Sequence, residues 1–268
     1  MSVFADTRRG ARETLLLAER SLRHIPRVPE KLADATIMPI VFIFTFAYVF
    51  GSAISVPGGG SYHEYLIGGM FAQGALQPLQ GLAVGVAEDM RTGLVDRLRV
   101  LPIGRAAFLT GRNLADLAER VLGSVVFIVL GLIVGWRVHS GVADFLAAFF
   151  LIQLFAFACS WLGTWVGLKV RSGEGAQQLI FMFMFPLMFV SGTFVPIGGM
   201  PHVLRVLAEW NPLTAAATAC RQLFGNPTGD VPDVWPLQHP VITTLLWCAV
   251  ITMVFMPLAI RRYRMIGR

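Results

Sequence analysis

Residues 145–168 read FLAAFFLIQLFAFACSWLGTWVGL, without one Asp, Glu, Lys or Arg among them. At 1.5 Å per residue such a run is long enough, as a helix, to cross about 30 Å of hydrocarbon. It is continuously apolar, not alternating, which argues against a strand of a membrane barrel. Five further uncharged stretches follow the same rule: Ala35–His63, Tyr65–Ala87, Val121–Trp136, Gly175–Leu204 and Val234–Ile260. A charge at the bilayer centre is costly, so uncharged runs locate candidate spans. The spacing predicts spans at 36–55, 65–87, 119–137, 144–168, 177–195 and 240–260. The third is short and is extended by snorkelling Arg120 and Arg137.

Composition agrees. Of 268 residues, 55% are hydrophobic and only 14% charged, and the mean hydropathy is +0.65. A soluble domain carries about a quarter charged residues. The expected class is an all-α integral membrane protein with six transmembrane helices: an N-terminal segment 1–34, a membrane domain 35–262 and a tail 263–268. That leaves no room for a large soluble catalytic domain.

The net charge is +6 and the pI about 9.8. The bases are unevenly placed. Nineteen of the 22 Lys and Arg residues fall in the N-terminal segment, the connection between spans two and three, the turn at Lys169 and Arg171, and the C-terminus. Only Arg137, Arg205 and Arg221 fall on the other side. The positive-inside rule then places both termini in the cytoplasm, and the excess charge needs no nucleic-acid partner. An even number of spans requires the same. The charged N-terminus is not a secretory signal peptide. Cys159, Cys220 and Cys248 form neither a disulfide framework nor a CxxC metal spacing.

Three segments outside the spans carry patterns of their own. In 11–25, Leu15, Ala18, Leu22 and Ile25 recur at helical spacing, with Arg12, Glu13, Glu19, Arg20 and Arg23 largely off that stripe. This reads as an interfacial amphipathic helix on the cytoplasmic surface. Residues 196–239 are too long for a simple turn. They predict helices at Val203–Trp210 and Leu213–Phe224, broken at Asn211–Pro212, with a re-entrant dip near Val195–Met200. The third segment, from Glu88 to Ile103, begins where span two leaves the membrane. Gly93 permits a turn, Leu94, Leu98 and Leu101 share a face ringed by Asp96, Arg97 and Arg99, and Pro102 ends it. A short amphipathic helix projecting into the cytosol suits a groove on a partner; it also suits an ordinary charged loop.

The sequence lacks the G-x-x-x-x-G-K-[ST] phosphate loop and HExxH, and no acid lies mid-span. Coupled carriers usually bury ionisable groups in the membrane. A transporter built this way draws its energy from a partner. Span five is rich in Phe181, Met182, Phe183, Met184, Phe185, Met188 and Phe189, a pliable face for apolar ligands or a face for lipid or a dimer seam. Gln73 and Gln77, like Gln153, Gln177 and Gln178, line a polar path or cross-link helices. Gly68, Gly69 and Gly74 read as close-packing positions.

Several stretches in order resemble the membrane subunits of type-2 ATP-binding-cassette exporters, most of all the daunorubicin-resistance permease family. They are MPIVFIFTFAYVFG (38–51), EYLIGGMFAQGAL (64–76), EDMRTGLVDRLRVLPIGRAAFLTGRNLADL (88–117), SGTFVPIGGMP (191–201) and EWNPLTAAATACRQL (209–223). The resemblance covers most of 30–262. It implies a non-enzymatic permease in a bacterial plasma membrane, paired with a second copy or a paralogue. Two ATPase subunits would hold ATP and Mg, so this chain carries no cofactor. The coupling residues implied are Glu88, Asp89, Gly93, Leu94, Val95, Asp96, Arg97, Leu98, Arg99, Leu101 and Pro102. The cargo implied is a hydrophobic or amphipathic small molecule, a drug or lipid, with Gln73, Gln77, Phe181, Met182, Phe185, Met188 and Phe189 as the path. Two alternatives remain open: a polysaccharide or glycolipid exporter permease, and an integral-membrane enzyme of lipid metabolism, for which Glu88–Asp89 is the only adjacent acid pair.

Overall fold

Proline and glycine punctuate the helices. A computed structural model describes residues 41, 44–51, 56, 59, 61–92, 120–121, 123–125, 127–229 and 231–265. Among the described residues every regular element is helical. A π-helical turn, Thr45–Phe50, precedes α1 (Tyr62–Gly74) and α2 (Gln77–Arg91). Then come a helical stretch α3 (Gly123–Ile133), α4 (Val142–Gly167) and α5 (Gly173–Phe189). A 3₁₀ turn (Ile197–Gly199), α6 (His202–Glu209), α7 (Pro212–Phe224), one turn at Trp235–Gln238 and α8 (Pro240–Met265) complete the chain. By length and composition two described helices could cross a membrane: Val142–Gly167 and Pro240–Tyr263.

The continuous helix expected over 65–87 is two helices. Pro78 has no N–H to donate to the Gly74 carbonyl, and its ring crowds that carbonyl. The chain instead tightens, with Ala75 N donating to Ala72 O (3.1 Å) and Leu76 N to Gln73 O (2.9 Å). The third expected span, 119–137, stops being helical at Ile133. Gly135 adopts φ +101°, its N–H donates to Leu132 O (3.3 Å), and Trp136 N donates to Gly131 O (2.9 Å). That pair of bonds is a Schellman cap. The fifth helix starts earlier and ends earlier than 177–195. The helices expected at 203–210 and 213–224 are present as α6 and α7, with Asn211 between them.

A second Schellman cap closes α7: Gly225 has φ +68°, and Asn226 N donates to Arg221 O (2.9 Å). The residues that follow the two cap glycines meet. Trp136 Nε1 donates to Asn226 Oδ1 at 2.7 Å, and Asn226 Nδ2 donates to Arg137 O at 2.8 Å. Both Trp136 and Asn226 are buried. The ends of α3 and α7 are thus fastened by the caps that terminate them.

Helix α4 packs along α2 and α8, α1 along α7, and α5 along α2. Close approach of α4 to α2 depends on small residues, as usual between helices in lipid. A Cβ on Gly163 would overlap the Leu79 carbonyl, and one on Gly167 would lie 2.6 Å from the Ala83 carbonyl. The three glycines expected to pack tightly divide. Gly68 and Gly69 do, against Arg221 and the Thr193 backbone; Gly74 faces open space. Gly163→Val should therefore cost about 2 kcal/mol by overpacking, read as a lowered thermal midpoint in detergent. Gly74→Ala should leave that midpoint unchanged or raised.

Candidate functional site

Helix α5 carries most of the residues expected to meet a ligand, and its two ends are held by polar groups. Only Gly173, Ala176 and Ile180 are buried along it. The face turned away from the bundle holds Phe181, Met182, Phe185 and Phe189, exposed by 60%, 70%, 46% and 52%. The phenylalanines recur every four residues, so their rings stack down one side of the helix. Ring centroids are 5.4 Å apart for Phe181–Phe185 and 4.5 Å for Phe185–Phe189. The ladder continues through Phe194 to Phe46, which lie 4.6 Å apart. Met188 is half-buried and accepts a hydrogen bond on sulfur from Gln73 Nε2 at 2.8 Å, so one expected pair is brought together. Gln77 stands exposed at the first residue of α2. Gln153 joins helices: its Nε2 donates to Ser124 Oγ at 2.8 Å.

At its N-terminus α5 is clasped to α2. Ser172 caps it, accepting from Gly175 N. Glu88 adds a second acceptor. Its Oε1 accepts from Gly173 N (3.2 Å) while Oε2 accepts from Arg91 Nε (2.8 Å). A carboxylate at a helix N-terminus satisfies an orphan N–H and favours the local dipole. The Arg91 hydrogen bond and then the Gly173 N–H hold the Glu88 carboxyl below its ordinary value of 4.5. The clasp is thus present above that value and is lost as pH falls through the lowered one. A Cβ on residue 173 would lie 2.9 Å from Glu88 Oε1, so glycine is what lets the carboxylate approach. Glu88 therefore serves as an internal link between two helices. Asp89, beside it in the last turn of α2, is partly buried; the other residues expected to couple, Gly93, Leu94, Val95, Asp96, Arg97, Leu98, Arg99, Leu101 and Pro102, lie outside the described residues, as does the amphipathic stretch 11–25.

At its C-terminus α5 gives way to irregular backbone at 190–194, and this turn is buried. Sequence reasoning counted Arg221 as a loop charge; the structure buries it to 1% exposure. Its Nε donates to Tyr65 O (2.8 Å), Nη1 to Gly192 O (2.8 Å) and Nη2 to Thr193 O (2.7 Å). The guanidinium also lies 3.5 Å over the Tyr65 ring, a cation–π stack. Tyr65 Oη donates to Gly192 O (2.8 Å), Tyr62 Oη to Phe194 O (3.1 Å), and Gly192 N donates to Thr214 Oγ1 (3.0 Å). Asn211 finishes the job. Its Nδ2 donates to the Leu187 and Val190 carbonyls (2.7 and 2.6 Å) while its Oδ1 accepts from Leu213 N (2.8 Å). One side chain thus caps the end of α5 and the start of α7. Irregular backbone survives away from water only when its polar groups are met in this way. The available signal for Arg221 was its setting, an arginine directly after the small residues Ala215–Cys220.

Among the described residues, fold and site together give an all-helical protein whose buried polar groups fasten helix ends. The chain belongs to the ABC-2 type transporter family, whose model matches residues 12–224. It is similar to a daunorubicin resistance ABC transporter permease protein of Streptomyces coeruleorubidus, 28% identical over 98% of this chain and 92% of that one. It is similar to a probable doxorubicin resistance permease of Mycobacterium tuberculosis, 26% identical over 92% and 87%. A probable multidrug permease of Escherichia coli is 25% identical over 60% of this chain and 44% of its own. The protein is thus a transmembrane permease subunit of an ABC exporter, and such a subunit is not itself an enzyme.

Arg221→Met should lower stability by about 3 kcal/mol, because buried carbonyls lose their donors, measured as a fall in the thermal midpoint. Arg221→Lys should recover only part of it, since an ammonium cannot span three carbonyls in a plane.

Proposed function

We propose that this permease exports a hydrophobic or amphipathic small molecule, a drug or a lipid, powered by a separate ABC ATPase. It would lie in a bacterial plasma membrane as six spans with both termini cytoplasmic. It would work as a pair, with a second copy or a paralogue, on two ATPase subunits. One observation carries the cargo reading: the exposed Phe181–Phe185–Phe189 ladder with Met182 beside it. Flat rings and a pliable thioether suit flat lipophilic ligands of varied shape. The names of the relatives, daunorubicin and doxorubicin resistance permeases, support the same class.

The coupling is mechanical. Residues 93–102 dock on the ATPase, with Leu94 and Leu98 as buried anchors and Asp96, Arg97 and Arg99 as rim charges that set register. Motion there reaches the C-terminus of α2, and Glu88 passes it to α5 through Gly173. The far end of α5 is fixed by Asn211 and the Arg221 cage. Rotation of α5 about its fixed C-terminal end re-aims the aromatic ladder between an inward-facing and an outward-facing arrangement.

Reconstitution with a cognate ABC ATPase tests the reading. Lipophilic cationic drugs of the daunorubicin type should change the hydrolysis rate and accumulate on the far side; sugars linked to lipid should not. Leu94→Asp should weaken ATPase binding by about 2 kcal/mol or more, roughly 30-fold. Glu88→Ala should leave the complex intact and uncouple it, with hydrolysis continuing while drug movement per ATP falls. If Glu88→Ala instead abolishes co-purification, Glu88 belongs to the docking surface. A cysteine placed at Thr228 should react with an impermeant reagent from outside, and one at Ser172 only from inside.

A further inference from the structure

Helices α4 and α8 end together, and their ends gather cations. Leu168, just after α4, and Tyr263, near the end of α8, join one buried cluster with Val86, Trp161 and Ala259. Just before these ends Trp165 packs edge-on against Phe255, with ring centroids 5.4 Å apart. Four residues beyond Trp165 and seven beyond Phe255 the same two helical faces carry Lys169 and Arg262. The Lys169 ammonium lies 4.2 Å over the Trp165 ring, and Arg171 and Arg261 stand exposed beside the pair. Arg262 is half-buried, and its Nε is enclosed with no acceptor among the described residues. Among the described residues none of these four bases forms an ion pair. Acids on the neighbouring helices do not supply one: Glu88 is held by Arg91 and Gly173, and Asp89 and Glu174 pair with none of the four. Like charges repel, and an enclosed donor without an acceptor is costly, so such a cluster is stabilised by an anion. The body of that anion can be read from α8. Val250, Val254 and Leu258 are 48%, 45% and 38% exposed and recur every four residues up to Arg262. They form an apolar stripe about 12 Å long that ends on a cation.

We infer that the ends of α4 and α8 form a site for one anionic phospholipid, its phosphate against Lys169 and Arg262 and an acyl chain along Val250, Val254 and Leu258. The leaflet rests on the topology proposed above, in which it is the inner one. Charge chooses an anionic headgroup over a zwitterionic one, because four bases converge without a paired acid. The stripe chooses a lipid over a free phosphate ion, which would leave three exposed apolar side chains unused. It also lies on a helix long and apolar enough to cross a membrane, where its neighbour is hydrocarbon. The consequence is regulatory. Lys169 and Arg171 belong to the short link from Leu168 to Ser172 that joins α4 to α5, and the next residue is Gly173, which Glu88 holds. A headgroup bound to that link stiffens it at the end of α5 through which coupling motion enters.

The test is selective retention of lipid. The full-length chain, delipidated in detergent, is offered phosphatidylglycerol and phosphatidylcholine together and read by native mass spectrometry. It should keep one phosphatidylglycerol in preference to phosphatidylcholine. In a parallel melt, phosphatidylglycerol should raise the thermal midpoint, more at low salt than at high. Lys169→Gln with Arg262→Gln should weaken phosphatidylglycerol binding roughly 30-fold, for two lost bases, and leave phosphatidylcholine binding unchanged. Lys169 is exposed, so Lys169→Gln alone keeps the test open if the double variant does not fold; it should weaken phosphatidylglycerol several-fold. Arg262→Lys should recover part of the loss. Inorganic phosphate and glycerol 3-phosphate should not displace the lipid. Equal retention of the two lipids would overturn the inference, and so would undiminished phosphatidylglycerol binding by the Lys169→Gln chain. Displacement by inorganic phosphate would overturn it too, showing a site for a free anion. Neither readout depends on an ATPase or on cargo, so its failure is distinguishable from failure of the transport reading.

Discussion

A buried cation held by backbone carbonyls fixes the arrangement of this molecule. Arg221 is buried, and among the described residues its charge is met by three backbone carbonyls and one aromatic face. Guanidinium cannot shed its proton at any relevant pH, so burial cannot be relieved by neutralisation. It must be met by acceptors held in the right plane. Those acceptors are the carbonyls of Tyr65 in α1 and of Gly192 and Thr193 in the turn after α5. The requirement of one side chain therefore specifies where α1, α7 and the end of α5 lie relative to one another. Gly68 and Gly69 follow from the same requirement, since any side chain there would occupy space that Arg221 or the Thr193 backbone fills.

The opposite end of α5 shows the same logic with the signs reversed. There a carboxylate, Glu88, meets a helix N-terminus, and a glycine at 173 permits the approach. Between these two polar clasps the helix buries three residues. A helix gripped at its ends and loosely packed along its length has few contacts to break when it turns. Pro186 adds a point where the backbone ladder is already interrupted. Such a helix is suited to transmit a displacement from one end to the other, which a helix packed along its whole length would resist. The clasps are also unequal. Glu88 is partly exposed and ionic, easily strained; the Arg221 cage is dry and has several bonds to lose together.

Periodicity and charge located helices well because both report on burial of backbone in an apolar medium. The run 145–168 and the break at Asn211–Pro212 are examples, for an Asn followed by Pro is a cap by its own chemistry. Boundaries set by local rules were legible in principle and missed in practice. Pro78 divides 65–87, and Gly135 stops α3 short of Arg137. What could not be read was pairing across long separations. Nothing in the string GVAEDMR says that its glutamate reaches a glycine many residues later, or that the arginine of TACRQLF turns inward. The positive-inside count treated Arg221 as one more loop base, because counting charges carries no information about which of them find carbonyls. The tight pair Gly163 and Gly167 was likewise passed over inside a run that is apolar on every side, where amphipathicity has no polar face to orient it.

The same blindness explains why the ladder on α5 and the outer face of α6, where Val203, Leu207 and Trp210 stand exposed, look alike in sequence. Both are rows of large apolar side chains, and hydropathy cannot rank lipid, cargo and protein as neighbours, since all three are apolar. The distinction comes from what stands behind each row. Behind the α5 ladder, helices α2 and α1 offer polar reach at Gln73 and clasps that allow movement. Behind α6 is a small buried cluster of Ile197, Ala208 and Leu237 with its acid, Glu209, tucked in. A row of rings on a movable support can change what it faces during a cycle; a row on a fixed support can only choose one medium. Under the transport reading proposed above, the α5 ladder meets the cargo because its support can turn, so the two faces are told apart by what backs them rather than by their own chemistry.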